Sequence, residues 1–129
     1  MLFPKKILLD TNFLLVPAQF GVDIFGEIER LCSFKHELYA LDKTIDELNT
    51  ITENKKQKLK DRRAAKLGLA FVKAKNINII VTDTDKYVDD IIKMMADDYI
   101  IATNDRELKK HLKRVIVLRQ KSHLEMIER

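Results

Sequence analysis

The stretch KILLDTN (residues 6–12) decides the fold, because a short apolar run ends there directly in an acidic residue. Similar runs recur along the chain: ELYAL (37–41), INIIV (77–81), YIIAT (99–103) and VIVLR (115–119). Short, nearly continuous runs of this kind are typical of strands that are buried on both faces. They predict about five strands, with VIVLR as the last.

Amphipathic stretches separate these runs and predict helices. Their apolar stripes are Phe25, Ile28, Leu31 and Cys32; Ile45, Leu48 and Ile51; Leu67, Ala70, Phe71 and Ala74, in a long helix from about residue 56; Val88, Ile91, Ile92 and Met95; and Leu108 and Leu112. Strands that alternate with helices imply βαβ units with helices on both faces of the sheet. We therefore expect an α/β protein, a three-layer α/β/α sandwich around a mainly parallel sheet.

Composition narrows the class of protein. The 129 residues are 46% hydrophobic, which excludes a disordered chain, and the length suits one domain. A single cysteine cannot form an internal disulfide or a multi-cysteine zinc site. The N-terminal MLFPKKILLD is broken by Pro4 and two lysines, so it does not resemble a signal peptide, and no apolar run is long enough for a membrane span. We expect a soluble, cytoplasmic protein without a membrane partner.

Basic residues are clustered in two segments. Seven of the 24 lysines and arginines lie within residues 55–66 and seven within 106–121. Such clusters can bind phosphates, although lysines also simply solvate helix faces. The candidate RNA-binding residues are Lys55, Lys56, Lys58, Arg62, Arg63, Arg106, Lys109 and Lys110. No series of aromatic residues suggests base stacking, so strong sequence readout is not expected.

Acidic residues follow the predicted strands. In a parallel sheet, ligands bind beyond the carboxyl ends of the strands. Asp10 follows the first strand, Asp42 and then Glu47 follow the second, and Asp105 follows the fourth. The third strand is followed by Asp83 and Asp85 and then by Asp89 and Asp90. We expect these carboxylates to meet at one edge of the sheet.

Helical angle selects among the acids that lie on helices. At about 100° per residue, Asp89 borders the apolar stripe of its helix, whereas Asp90 points away. By the same reasoning Glu47 borders its stripe and Asp46 faces away. A carboxylate beside a buried stripe is predicted to be desolvated, which is costly unless a cation or hydrogen bonds compensate for the burial. Oxygen ligands without cysteine or clustered histidine favour Mg²⁺ or Mn²⁺.

Each acid also has a purely structural alternative. Thr44 and Glu47 match a capping box, in which Glu47 would only cap its helix. Asp105 could stabilise a helix start, and Asp10 could cap the turn that follows it. A capping role accounts for any one of these acids, but it accounts less well for the occurrence of acids after four different strands.

Four segments together resemble the PIN domain: ILLDTNFLL (7–15), TIDEL (44–48), YVDDII (87–92) and IIATNDRELKKHL (100–112). The resemblance extends to about residue 119 and implies a single PIN-like domain over residues 1–129. It also implies a metal-dependent ribonuclease, a hydrolase of RNA phosphodiester bonds. The family's acidic positions correspond to Asp10, Glu47, Asp89 and Asp105.

In that resemblance, Asp10, Asp89 and Asp105 hold one or two Mg²⁺ or Mn²⁺ ions, and Glu47 is a ligand or orients water. The supporting polar residues are Asn12, Thr103, Asn104 and Asp90. The Asp89–Asp90 pair leaves the third acidic position ambiguous, although helical geometry and family spacing both favour Asp89.

Within the family, the acidic pair and the ATNDREL segment look most like archaeal relatives of the PIN endonuclease of small-subunit rRNA processing. VapC-type toxins of toxin–antitoxin pairs are the second resemblance. They rank second because they usually carry a single acid at the third position, where this chain has two. A non-catalytic RNA-binding or ribosome-assembly subunit is a further alternative. The implied partners are RNA, a second copy in a homodimer, and an antitoxin or a ribosome-assembly protein.

Overall fold

Strand β1 (Lys5–Leu9) is an interior strand of the sheet, and its residues Ile7, Leu8 and Leu9 are fully buried. The computed structural model describes residues 4–129. After β1 the elements within that range are α1 (Thr11–Phe20), α2 (Ile24–Leu31), β2 (His36–Leu41), α3 (Asp42–Glu53), α4 (Leu59–Ala74), β3 (Asn78–Ile80), α5 (Val88–Met95), β4 (Ile100–Ala102), α6 (Arg106–Lys109), β5 (Arg114–Arg119) and β6 (His123–Glu128).

The sheet has the strand order β3-β2-β1-β4-β5-β6. All neighbouring strands pair in parallel except β5 and β6, which are antiparallel. The side chains of β1 alternate between two cores, since Ile7 and Leu9 pack on one face and Leu8 on the other. Helices α1–α4 contribute to the first core, and α5 contributes to the second. The predicted three-layer α/β/α architecture is confirmed.

The sheet formed by residues 4–129 has six strands rather than the expected five. The additional strand, β6, pairs with β5 in an antiparallel hairpin. The turn places Gln120 and Lys121 at φ values of 52° and 54°. Hairpin turns with positive φ are usually marked by Gly or Asn. Gln-Lys gives no such signal, so the sequence did not indicate a sixth strand.

Helix α1 was not predicted from the sequence either. It contains Pro17 and has no polar stripe, because several of its sides are buried. It ends at Gly21, whose φ of 66° is the left-handed conformation common at helix C-termini. Helix α4 begins at Leu59 rather than near residue 56.

Residues 1–3 lie outside the described residues. The predictions that include them, the domain over residues 1–129 and the absence of a signal peptide, are therefore not described at these positions. In residues 4–129, no helix is both long enough and apolar enough to cross a bilayer.

Candidate active site

A pocket of about 250 Å³ lies where β1 and β4 end and where α3 and α5 begin. Its lining residues are Asp10, Thr11, Asn12, Leu15, Glu47, Val88, Asp89 and Asp105. The structure thus brings the four predicted acids to one pocket, from four separate segments of the chain. The carboxyl ends of parallel strands meet at one sheet edge, which is the reason these segments converge.

Asp10 is the most buried of the four carboxylates, with 5% of its surface exposed. Its Oδ1 accepts a hydrogen bond of 2.8 Å from the Thr11 backbone N–H and so caps α1. Its Oδ2 accepts bonds from the Thr103 hydroxyl at 2.7 Å and from the Asn12 side-chain amide at 3.3 Å. Asp10 therefore caps α1 and also lines the pocket.

Thr103 connects Asp10 to Asp105. The Thr103 hydroxyl donates to Asp10 and accepts a bond of 3.1 Å from the Asp105 backbone N–H. Asp105 in turn caps α6, since its Oδ1 accepts from the backbone N–H groups of Glu107 and Leu108 at 3.0 and 3.1 Å. Thr103 is fully buried, so this bridge fixes the Asp10 carboxylate relative to the backbone of Asp105.

Asn12 and Asn104 fasten the loop after β4. The Asn12 Oδ1 accepts a bond of 3.3 Å from the Asn104 backbone N–H. The Asn104 Oδ1 accepts a bond of 3.0 Å from the Leu118 backbone N–H in β5. Asn12 lines the pocket, whereas Asn104 is not among its lining residues and acts on the loop behind it.

The capping-box alternative for Glu47 is wrong. Helix α3 begins at Asp42, with Leu41 before it, so Thr44 lies inside the helix rather than at its start. The buried Thr44 hydroxyl instead accepts a bond of 3.1 Å from the Thr11 hydroxyl, which joins α3 to α1. Glu47 lies in the second turn of α3 and lines the pocket.

Asp89 lines the pocket, whereas the adjacent Asp90 does not appear among its lining residues. Asp89 and Glu47 are nevertheless exposed residues, yet burial is the largest cause that raises the pKa of each, so the expected desolvation is confirmed only in part. They lie at the open rim, with Asp10 at the closed end. Only part of each rim carboxyl group is withdrawn from water.

The environment favours the neutral form of Asp10. Burial is the largest cause and raises the pKa of Asp10 above its usual 3.8. Hydrogen bonds from Thr103 and Thr11 oppose this increase, and the negative charges of Asp89 and Asp105 add to it. A bound cation would remove the repulsive contribution.

The pKa values of the two rim acids are also raised. For Glu47 partial burial is the main cause; the Thr11 hydroxyl opposes it and the charges of Asp10 and Asp89 increase it. For Asp89 partial burial again comes first, followed by the charge of Asp105. Mutual repulsion of this kind is typical of carboxylates that share a site.

The donor set fits a hard divalent cation, because the pocket is lined by carboxylate oxygens and no lining residue offers sulfur or imidazole. Within residues 4–129, no three acidic, histidine or cysteine side chains lie close enough to hold an ion directly. Mg²⁺ usually keeps several waters and binds through one or two carboxylates, which suits an open pocket of this size.

The predicted basic residues fall into two places. Arg106, Lys109 and Lys110 lie on or next to α6, beside Asp105. Burial and the nearby charges of other cations, Arg119 first among them, lower the pKa of Lys109. A group of like charges therefore borders this side of the pocket.

The other five predicted basic residues lie around the α3–α4 connection: Lys55, Lys56, Lys58, Arg62 and Arg63. None of them lines the pocket. Helix α3 rises by about 9 Å between Glu47 and Glu53 and leads away from the acids. Any RNA contact made by these residues would involve a distant part of the strand.

Three residues near the site were missed at the sequence level: Thr11, Thr44 and Arg119. Thr44 lies four residues before Leu48, on the buried face of α3, and that spacing was the available signal. Thr11 stands in the DTN opening but had no assigned role. Arg119 is separated from Lys109 by ten positions, and no pattern in the sequence connects them.

The raised pKa of Asp10 predicts how stability depends on pH without metal. Its contribution to folding stability is present below the ordinary pKa of 3.8 and is lost as pH rises through the folded pKa. Asn removes this pH dependence together with the acceptor Oδ2 that Thr103 and Asn12 use, so the melting temperature of Asp10→Asn in EDTA should rise relative to wild type as the pH increases from 3.8 to neutral. Thermal unfolding of both proteins across this pH range measures the change. A difference that stays constant with pH would contradict it, and the exposed Asp46→Asn is the control.

Comparisons with known proteins agree with this architecture. The sequence profile of a family described as PIN like domain matches residues 7–121. Ribonuclease VapC4 of Methanocaldococcus jannaschii is 36% identical over 128 residues, covering 94% of this chain and 95% of the relative. The solved structure of the PIN domain endonuclease Utp24 matches with a TM-score of 0.75 over 98% of this chain and 93% of that one. Its 21% identity limits that likeness to the fold.

Proposed function

We propose that this chain, which belongs to the PIN-like domain family, is a metal-dependent endoribonuclease that hydrolyses RNA phosphodiester bonds. Among the matches, Ribonuclease VapC4 is a relative in sequence, and the PIN domain endonuclease Utp24 is alike in fold. The observation that carries the proposal is the convergence of Asp10, Glu47, Asp89 and Asp105 on one pocket.

The chain's own groups prepare the pocket for an anionic substrate and a cation. The Asp10 carboxylate is held by the Thr103 hydroxyl and the Asp105 carboxylate by the backbone N–H groups of α6, so both need little reorganisation. Glu47 and Asp89, at the open rim, remain accessible to water and to an incoming phosphate. A bound Mg²⁺ or Mn²⁺ ion would lower the pKa of water and offset the charge of the phosphate. Cations on and beside α6 favour the approach of the RNA backbone.

Two settings are supported by different observations. The near full-length similarity to VapC4 favours a VapC-type toxin ribonuclease with an antitoxin partner. The Asp89–Asp90 pair favours a role in rRNA processing, with ribosome-assembly partners. An antitoxin gene immediately upstream would support the first setting. A non-catalytic RNA-binding subunit is disfavoured, since such a protein does not need four carboxylates in one pocket. A cytoplasmic location and a homodimer remain predictions.

Cleavage of end-labelled structured RNA tests the activity. The protein with Mn²⁺ should produce discrete internal fragments, and the same protein in EDTA should leave the RNA intact, because the pocket lining has no histidine to act as a general base and a bound cation would lower the pKa of the attacking water. Gel electrophoresis of the products measures this difference. Equal cleavage with and without EDTA would overturn the metal-dependent proposal, and intact RNA under both conditions would overturn the ribonuclease proposal.

A further inference from the structure

Tyr87 carries the most exposed aromatic ring of the described residues, with 81% of its surface accessible. The next, Phe20, is 40% exposed. The tyrosines Tyr39 and Tyr99 instead pack edge to face, with ring centroids 5.5 Å apart. The ring of Tyr87 is therefore available to a ligand and contributes little to the core.

Tyr87 adjoins the acidic pocket along the chain, without itself lining it. Tyr87 is the residue before α5, and the two residues that follow it, Val88 and Asp89, both line the pocket. The connection that carries Tyr87 is fixed at its start, where the Thr82 backbone N–H and hydroxyl donate to the Asp42 carboxylate at 3.1 and 2.7 Å. Helix α5 fixes its other end, so the backbone of Tyr87 is held within two residues of the pocket lining.

The charges around the pocket are unequal on its two sides. Before and on α5, the exposed Asp83, Asp85 and Asp90 outnumber Lys86 and Lys93, so this side carries a net negative charge that repels phosphate. On and next to α6, the cations Arg106, Lys109 and Lys110 outnumber Glu107. An RNA strand across the pocket is therefore favoured with its backbone towards α6 and its bases towards α5.

We propose that Tyr87 stacks on an unpaired base beside the phosphodiester that enters the pocket. This inference rests on the proposed ribonuclease function. Aromatic side chains stack on any exposed base, which gives affinity without strict sequence readout. A base that is paired within a duplex cannot offer its face to the ring.

A binding experiment without metal tests the stacking directly. The sequence contains no tryptophan, so Tyr87→Trp introduces a single fluorescent reporter. In EDTA, a single-stranded oligoadenylate should quench this fluorescence, while an abasic strand of the same length and a duplex should not. The control is Phe20→Trp, at the end of α1 opposite the pocket. Its fluorescence should not change with the oligoadenylate, the abasic strand or the duplex. Absence of quenching by the oligoadenylate, or equal quenching by the abasic strand, would overturn the inference.

Cleavage kinetics give the second measurement. Tyr87→Ala should raise KM about fivefold to a hundredfold, with a smaller change in kcat, whereas Tyr87→Phe should retain the wild-type KM because the ring remains. Equal KM values for the alanine variant and the wild type would overturn the stacking role. The two proposals fail separately: quenching without Mn²⁺-dependent cleavage contradicts the nuclease function, and cleavage without quenching contradicts only the role of Tyr87.

Discussion

Replacing Asp10 with Asn is expected to lower the rate constant of RNA cleavage by about a thousandfold, because a metal site contributes several kcal/mol to the transition state. Asp10 is the buried carboxylate of the pocket, and it accepts hydrogen bonds from Thr103 and Thr11. Asn keeps the shape and can still cap α1, but it removes the negative charge that would bind a cation. Single-turnover cleavage of labelled RNA with Mn²⁺ measures the loss.

The control for this substitution is Asp46→Asn, which removes an exposed carboxylate one residue before Glu47. It should cleave within about threefold of the wild-type rate, as expected for a surface change. RNA binding by Asp10→Asn should persist, since the substitution leaves the α6 cations in place. Cleavage by Asp10→Asn at the wild-type rate would remove Asp10 from the catalytic assignment.

The adjacent acids of α5 give the second large effect. Asp89→Asn should reduce cleavage about a hundredfold, because its carboxylate lines the pocket and experiences the charge of Asp105. Asp90→Asn should stay within about threefold of wild type, as its side chain is exposed and lies outside the lining. Cleavage rates of the two variants, measured side by side, decide which of the two residues occupies the third acidic position. A larger loss for Asp90→Asn would reverse the assignment at the third acidic position.

The sequence predicted the edge of the sheet at which the acids meet, for a physical reason. A strand buried on both faces, such as β1, has few polar side chains, so the first acid after it marks the end of the strand. Parallel pairing then places those ends side by side without further information. Helical angle and the family spacing together favoured Asp89 over Asp90, and Asp89 is the one of the two that lines the pocket.

Other features depended on contacts that no local pattern encodes. Helix α1 is enclosed by other elements, and its Pro17 argues against a helix when only the sequence is considered. The bond between the Thr11 and Thr44 hydroxyls joins residues 33 positions apart. The exposure of Glu47 and Asp89 depends on how far the pocket opens, which apolar periodicity does not specify.

The central claim is tested most directly by calorimetric titration of the metal-free protein with Mn²⁺. Wild type should bind the ion, and Asp10→Asn and Asp105→Asn should each weaken that binding at least about tenfold, as loss of groups at a metal site does. Asp46→Asn should bind as the wild type does. Absence of Mn²⁺ binding by the wild type, or equal affinity in the wild type and both pocket variants, would contradict the account.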